Sequence, residues 1–308
     1  MTYETSIILP AKNEAESLKT LLPELRKHFP DSEIIVVNDG STDNTAEIGT
    51  QNGVKVVNHV YSMGNGAAIK SGARNAEGSI LVFMDADGQH SPSDINKLLD
   101  MFNDGFDMVV GARQLDSHAS LTRRIGNTIY NRLASWMTGY PIEDLTSGFR
   151  AARARHFKKF LYLLPNKFSY PTTSTMAFFR SGLPVGYVPI RARMRTSESK
   201  SHIRLFHDGF RFLIIIVKIG ALFSPMRFFL PISGTLLLAG LCYYGYTYYS
   251  WGRLTNMSAI LFLSSLLTFL IGIVSEQISA LHYKDIVETR RRTSRSDDLA
   301  ADNTHSDA

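Results

Sequence analysis

Cysteine is almost absent: Cys242 is the only one among 308 residues and lies inside an apolar run, so there is neither a disulfide framework nor a cysteine zinc cluster. No Gly-x-Gly-x-x-Gly separates the first apolar run from the helix after it, which argues against a Rossmann dehydrogenase, and Lys70 lacks the Gly-Lys-Ser/Thr setting of a Walker loop. No internal repeat is visible. Met1-Thr-Tyr-Glu leads straight into Ser6–Pro10, a run too short for a secretory h-region, so the amino-terminal domain is expected to stay in the cytosol.

What is present is unevenly distributed. The formal charge is +5 and the pI about 9.2, but the basic residues fall mainly between 113 and 227 and at 290–295, beside apolar segments. That placement points to anionic lipid head groups and phosphates rather than nucleic acid. Phe228–Tyr249 and Asn256–Ser275 are uncharged and each about the 20 residues a bilayer span needs. Ser224-Pro225 breaks the chain before them, and Ser250–Thr255 is a short connection, so the pair reads as a hairpin. Arg211, Lys218 and Arg227 precede it and Lys284 and Arg290–Arg292 follow it, whereas only Arg253 lies between the spans. The positive-inside rule then puts both termini in the cytoplasm of a multi-pass inner-membrane protein. Tyr243, Tyr244, Tyr246, Tyr248, Tyr249 and Trp251 form an aromatic belt at the outer end. Ile203–Phe223 alternates charged and apolar faces and reads as an interfacial helix, and the tail at 285–308 reads as disordered. Two spans bury little surface alone, so homo-oligomer packing is expected.

The first part of the chain alternates short Ile/Val runs with amphipathic stretches. Ser6–Leu9, Glu33–Val37, Lys55–Asn58, Ile80–Met84 and Met108–Gly111 predict buried strands, and Glu14–His28 and Thr42–Asn52 predict helices. That order implies an α/β domain with a largely parallel sheet and ligand sites at the strand carboxyl ends. Leu121, Ile125, Ile129, Leu133 and Met137 recur at helical spacing on a basic helix.

Candidate chemistry gathers at those strand ends. Phe83-Met84-Asp85-Ala86-Asp87-Gly88-Gln89-His90 runs a strand into two carboxylates; residues i and i+2 face one way, so Asp85 and Asp87 can share a hard cation, with Gln89 adding an oxygen if the chain stays extended. Such a cation neutralises a diphosphate leaving group. His90 reads as a solvated or capping loop residue, not a ligand. Pro10-Ala11-Lys12-Asn13-Glu14 and Asn38-Asp39-Gly40-Ser41-Thr42-Asp43 are strand-to-helix turns, where Asp39 can accept from a base amide; helix capping by Asn13 and Thr42 is the competing reading. Gly64-Asn65-Gly66 resembles a phosphate-cradling turn.

In this order and spacing, these elements resemble the family 2 glycosyltransferases, in particular the polyprenyl-phosphate sugar synthases, over residues 3–220. The resemblance implies a GT-A fold (nucleotide-diphospho-sugar transferase, Rossmann-like) over 1–202, followed by the interfacial helix at 203–223 and the hairpin within 228–281. It implies a metal-dependent transfer, with inversion, of a hexose from a UDP-glucose or GDP-mannose type donor to a polyprenyl phosphate. Pro10, Ala11, Asn13, Glu14, Asp39 and Gly40 would line the nucleotide pocket, with Gly66 and Asp85 also on the donor, and Asp85, Asp87 and Gln89 would bind Mg²⁺ or Mn²⁺. Two departures stand out: Asn38 replaces an acidic residue, and Lys12 a more usual aromatic or aliphatic one.

Gly111-Ala112-Arg113 and Asp144-Leu-Thr-Ser-Gly-Phe-Arg150 match the lipid-phosphate branch. Asp87, Arg113 and Asp144 are the catalytic candidates; Arg113, Arg124, Ser147, Arg193, Arg195 and Lys200 are those for the acceptor phosphate. A lipid phosphate is already anionic, so Asp144 need not act as a base; the alternatives are that it orients an arginine or the donor sugar, or that it forms a structural ion pair. Two other readings compete: a processive polysaccharide synthase, against which stand the missing Gln-x-x-Arg-Trp and the small number of spans, and a non-catalytic nucleotide-binding membrane adaptor, against which stand the intact acidic and arginine motifs.

Overall fold

The computed structural model of the chain describes residues 4–113, 121–167, 169–190 and 222–306, without the side chains of 121–127 and 282–306. Two units are present: Met1–Trp136 with Tyr140–Ser201, and Met137–Gly139 with His202–Ala308.

In the first unit, strands and helices alternate as β1 (Thr5–Ala11), α1 (Ala15–His28), β2 (Glu33–Asn38), α2 (Thr45–Gln51), β3 (Lys55–Asn58), α3 (Asn65–Asn75), β4 (Ile80–Phe83), α4 (Asp94–Asp100) and β5 (Met108–Arg113). Then come α5 (Leu121–Thr138), β6 (Arg150–Arg153), α6 (Ala154–Phe157) with a following 3₁₀ turn, α7 (Tyr170–Arg180) and β7 (Val185–Ile190). The seven strands form one sheet in the order β3-β2-β1-β4-β6-β5-β7. The five strands expected from Ile/Val runs are all present; four are buried, with Ile7, Ile8, Leu9, Val36, Val37, Val82 and Val109 without exposed surface, whereas β3, expected to be buried, lies at the sheet edge with Lys55 and Asn58 exposed and Val56 and Val57 only half-buried.

Every pairing is parallel except the two made by β6, which runs antiparallel between β4 and β5. Reversal puts the entry of β6 at the edge where the parallel strands exit, and so delivers the 144–149 loop to the ends of β4 and β5. Neither β6 nor β7 was predicted. β6 is Arg-Ala-Ala-Arg, with nothing β-branched, and β7 contains Gly186 and Pro189, which an edge strand tolerates and a central one does not. Helix α7 was also unpredicted: it is buried from Tyr170 to Phe178 except at Pro171, so no polar face marks its period.

The second unit holds two long helices, α8 (Pro225–Trp251) and α9 (Asn256–Ser306). Pro225 starts α8, where a missing N–H costs nothing, and Gly252 ends it in the left-handed conformation, donating its N–H to the Tyr248 carbonyl at 2.8 Å. Pro225–Trp251 and Asn256–Leu281 are long and apolar enough to cross a membrane. Ser233 and Ser265 join the helices reciprocally, each hydroxyl donating to the other's carbonyl at 2.9 Å. Here the structure departs from the sequence expectation: α9 continues through the tail at 285–308 as far as Ser306, a stretch with no glycine or proline after Gly272 to stop it. Of the expected interfacial helix 203–223, all but Leu222 and Phe223 lie outside the described residues.

Ile8→Ala, in the middle of β1, is expected to cost about 2–5 kcal/mol through the cavity it leaves. Val60→Ala, at a side chain 99% exposed, should stay within about 0.5 kcal/mol. Denaturant unfolding of the purified chain checks both.

Candidate active site

The exits of β1 and β2 are stitched together by side chains. The Asp39 N–H donates to the Ala11 carbonyl at 2.9 Å, extending the pairing in which Pro10 stands opposite Val37. The first N–H groups of α1 are capped from the neighbouring loop: Asn13 N–H donates to Ser41 Oγ (3.0 Å), Glu14 N–H to Thr45 Oγ1 (3.0 Å) and Ala15 N–H to Asp43 Oδ2 (3.1 Å). Asn13, at φ +57°, accepts in turn from Thr42 N–H at 2.8 Å. Capping is thus real, but it runs between the two motifs rather than within each.

Asp39 is buried, and its carboxylate is fully engaged. Oδ1 accepts from His59 Nδ1 and Met63 N–H (both 2.8 Å), and Oδ2 from Ser62 Oγ and Gly64 N–H (both 2.9 Å). Four donors match the acceptor sites of a carboxylate, so contact with a nucleobase requires one of them to withdraw. His59 is braced from behind by Ser71 Oγ at 2.8 Å. Burial opposes ionisation of Asp39, but the four hydrogen bonds outweigh it and hold the pKa below the ordinary 3.8.

Gly66 does not form the expected phosphate cradle. The N–H groups at the start of α3 are taken by a distant loop, Gly66 donating to the Lys167 carbonyl (3.2 Å) and Ala67 to that of Asn166 (2.8 Å). Glycine is required at 66 because the Pro165 carbonyl occupies the place of a β-carbon. The helix terminus is therefore plugged by protein.

Beyond β4 the chain does not stay extended: Ala86–Asp87 form a turn, and Gly88 has φ +72°. The alternation that was to aim Gln89 with the two carboxylates is therefore lost at Gln89, whose N–H instead donates to Asp87 Oδ1 at 3.1 Å. Asp87 is buried and Asp85 half-buried. His90 is also buried, not solvated, and stacks on Phe149 with ring centres 4.8 Å apart. Burial, aided by Arg113, pushes its pKa down against the pull of Asp87, Asp94 and Asp144.

Facing this loop is the Arg113–Asp144 pair. Asp144 Oδ2 accepts from Arg113 Nε (2.9 Å) and N–H (3.3 Å), and Oδ1 from Arg113 Nη2 (3.2 Å), Thr146 N–H (3.0 Å) and Ser147 N–H (3.0 Å). Arg113 Nη2 also donates to Thr146 Oγ1 at 2.6 Å. Burial opposes the charge on both partners, yet their mutual hydrogen bonds and attraction raise the pKa of Arg113 and lower that of Asp144. A carboxylate held this way orients the arginine and the loop. Asp85 adds to the attraction felt by Arg113, which links the two arms electrostatically.

Two residues that the sequence reading quoted or passed over without a role lie behind this edge. Arg150 is fully buried below Ser147, and Tyr170 Oη donates to the Gly148 carbonyl at 3.0 Å. A buried arginine in a four-residue strand leaves no periodic signal. The Arg124 side chain and Arg193, Arg195 and Lys200 lie outside the described residues.

Among the described residues no group of three His, Cys, Asp or Glu could hold a metal. The donor chemistry is two neighbouring carboxylates, Asp85 and Asp87. That set suits a hard cation such as Mg²⁺, which keeps waters and phosphate oxygens in most of its coordination sites.

Residues 6–161 match the family Glycosyl transferase family 2, and residues 224–281 match the GtrB C-terminal hairpin. A UDP-N-acetylglucosamine–dolichyl-phosphate N-acetylglucosaminyltransferase of Methanococcus voltae is 32% identical over 243 residues, covering 70% of this chain and 96% of that protein. A polyprenol monophosphomannose synthase of Mycolicibacterium smegmatis is 29% identical over 204 residues, covering 61% and 77%. Among solved structures, glucosyl-3-phosphoglycerate synthase from Mycobacterium tuberculosis, in complex with Mn²⁺ and UDP-glucose, superposes with a TM-score of 0.55 at 20% identity over 70% of this chain and 78% of that one. At that identity the likeness shows the fold, a GT-A Rossmann-like mixed sheet.

Asp39→Asn is expected to cost about 1–3 kcal/mol at neutral pH by leaving buried donors unsatisfied. A depressed folded-state pKa contributes stability that is present above the ordinary 3.8 and lost as pH falls through the lower folded value, so the gap between wild type and variant should shrink in acid. Thermal unfolding at pH 7 and below pH 4 measures it.

Proposed function

The chain belongs to glycosyl transferase family 2, and from that premise we propose that it transfers a hexose, with inversion, from a UDP-glucose or GDP-mannose type donor to a polyprenyl phosphate at the cytoplasmic face of a membrane. The observation that carries the acceptor half is the state of Asp144: its carboxylate is engaged by Arg113, Thr146 and Ser147, as suits a reaction that needs no proton removed from the nucleophile. Relatives named for dolichyl and polyprenol phosphates, and the hairpin that follows the domain, support the same acceptor class.

In this reading an oxygen of the lipid phosphate attacks the anomeric carbon as the bond to the nucleoside diphosphate breaks, and a single displacement inverts that carbon. Arg113 meets the acceptor phosphate. Its Nε and Nη2 are held by Asp144 and Thr146, while Nη1 makes no hydrogen bond among the described residues. Ser147 shapes the acceptor end, and Arg124, Arg193, Arg195 and Lys200 add positive charge around the phosphate. Asp85 and Asp87 would hold Mg²⁺ or Mn²⁺, which would supply positive charge to offset that of the departing diphosphate. Gln89 contributes by its N–H bond to Asp87, and its side-chain oxygen is a third candidate ligand. The loops after β1 and β2 take the nucleoside, with the base reaching Asp39 once the 62–64 segment yields. The positive-inside charge pattern supports cytoplasmic termini.

Incubating the purified chain with radiolabelled UDP- and GDP-sugars and polyprenyl phosphate should give organic-extractable label. Asp85→Asn should lower that rate by about a hundredfold or more, and Arg113→Met should raise KM for the lipid more than KM for the donor. A water-soluble polymer, or no product with any donor, would sink the proposal.

A further inference from the structure

Arg150 has no exposed surface, yet among the described residues its guanidinium touches only neutral acceptors. Nε and Nη2 both donate to the Ser147 carbonyl, and Nη1 donates to the Pro171 carbonyl (2.8 Å), Ser174 Oγ (2.9 Å) and Thr175 Oγ1 (3.0 Å). The charge also lies 5.7 Å from the centre of the Tyr170 ring. A buried cation without a carboxylate is a poor source of stability, and apolar residues of similar volume often serve a core as well or better. Its place suggests another reason for it. In the sheet Arg150 stands opposite Phe83 on one side and Val110 on the other, two residues before Asp85 and three before Arg113.

The groups it grips lead directly to Asp85. Arg150 fixes the Ser147 carbonyl, and Tyr170 Oη fixes the next one, that of Gly148, at 3.0 Å. Both peptides flanking Gly148 are thereby held, and this glycine forms a wall of the Asp85 pocket: a β-carbon added there would lie 3.1 Å from Asp85 Oδ2 and 3.4 Å from Tyr170 Oη. A β-carbon that close is tighter than normal packing allows, so any side chain at 148 would force the Asp85 carboxylate or the turn to give by a few tenths of an ångström.

We propose that Arg150 is a positioning residue of the transfer site: by clamping the Ser147–Gly148 turn it holds the wall against which the Asp85 carboxylate is set to share a divalent cation with the donor diphosphate. This rests on the nucleotide-sugar reading above. Arg150 touches neither donor nor acceptor, so its loss acts on the metal-dependent part of diphosphate binding and leaves the nucleoside contacts at β1 and β2 intact.

Titration calorimetry of the full chain in detergent, with UDP and with GDP, each in Mg²⁺ and in EDTA, tests this. Wild type should bind one nucleotide more tightly in Mg²⁺. Arg150→Met, which keeps the volume and removes every donor, should lose about tenfold of that gain while its affinity in EDTA and its thermal midpoint stay near wild type. Arg150→Lys, with donors for the Ser147 carbonyl, should recover part of the gain. Tyr170→Phe removes only the grip on Gly148 and should lose less, about threefold. An Arg150→Met protein with the full Mg²⁺ gain, or one weakened equally with and without Mg²⁺, overturns the inference. If Arg150→Met does not fold, Tyr170→Phe with an undiminished gain overturns it. Wild type that binds a nucleotide indifferently to Mg²⁺ overturns it and leaves the glycosyltransferase reading standing, whereas wild type that binds neither nucleotide overturns both.

Discussion

A parallel sheet can display only the carboxyl ends of its strands along one edge, and each neighbouring exit is followed by a crossover that carries the chain away. The site in this protein needs more groups there than two adjacent exits supply. The antiparallel strand β6, between β4 and β5, meets that need: its entry lies where its neighbours exit, and the 144–149 loop is brought against Asp85 on one side and Arg113 on the other. The carboxylate arm, the arginine arm and the loop between them depend on that one reversal. The buried guanidinium at the first residue of β6 ties the loop to α7.

Carboxylates in this domain act mostly as organisers. Asp39 gathers four donors and so holds the 59–64 segment; Asp43 caps α1 from the next loop; Asp144 holds Arg113 and two backbone amides of its own turn. In each case burial raises the cost of the charge and several short hydrogen bonds more than offset it, which lowers the pKa. After β4, Asp87 accepts from the Gln89 N–H, and Asp85 lies beside Gly148 and adds to the attraction felt by Arg113.

Strands built from Ile and Val were legible because a strand buried on both faces must be apolar throughout, and the hairpin because a bilayer demands long uncharged runs. Asp85, Asp87 and Arg113 were legible as candidates because they stand at or just after the ends of such strands, and Asp144 because the 144–150 segment resembles the lipid-phosphate branch of the family. Gln89 and Gly66 show where local reasoning stops. The geometry of Gln89 depended on an extended chain that turns at Ala86, and the glycine at 66 serves the carbonyl of Pro165, about a hundred residues further on, rather than a phosphate. His90 was misjudged for a similar reason, since its burial is provided by Phe149, which sequence places far away.

By itself the sequence determined the alternation of strands and helices, the two membrane-length segments and the identity of the charged groups at the strand ends, because each of these is written in composition and period along a short stretch of chain. Only the tertiary structure decided that β6 runs backwards, that Asp144 is committed to Arg113, that Asp39 is saturated and that Arg150 is buried with its guanidinium bonded to no carboxylate among the described residues. Those outcomes depend on which distant segments share a hydrogen-bonding neighbour, and no local pattern of residues encodes that pairing.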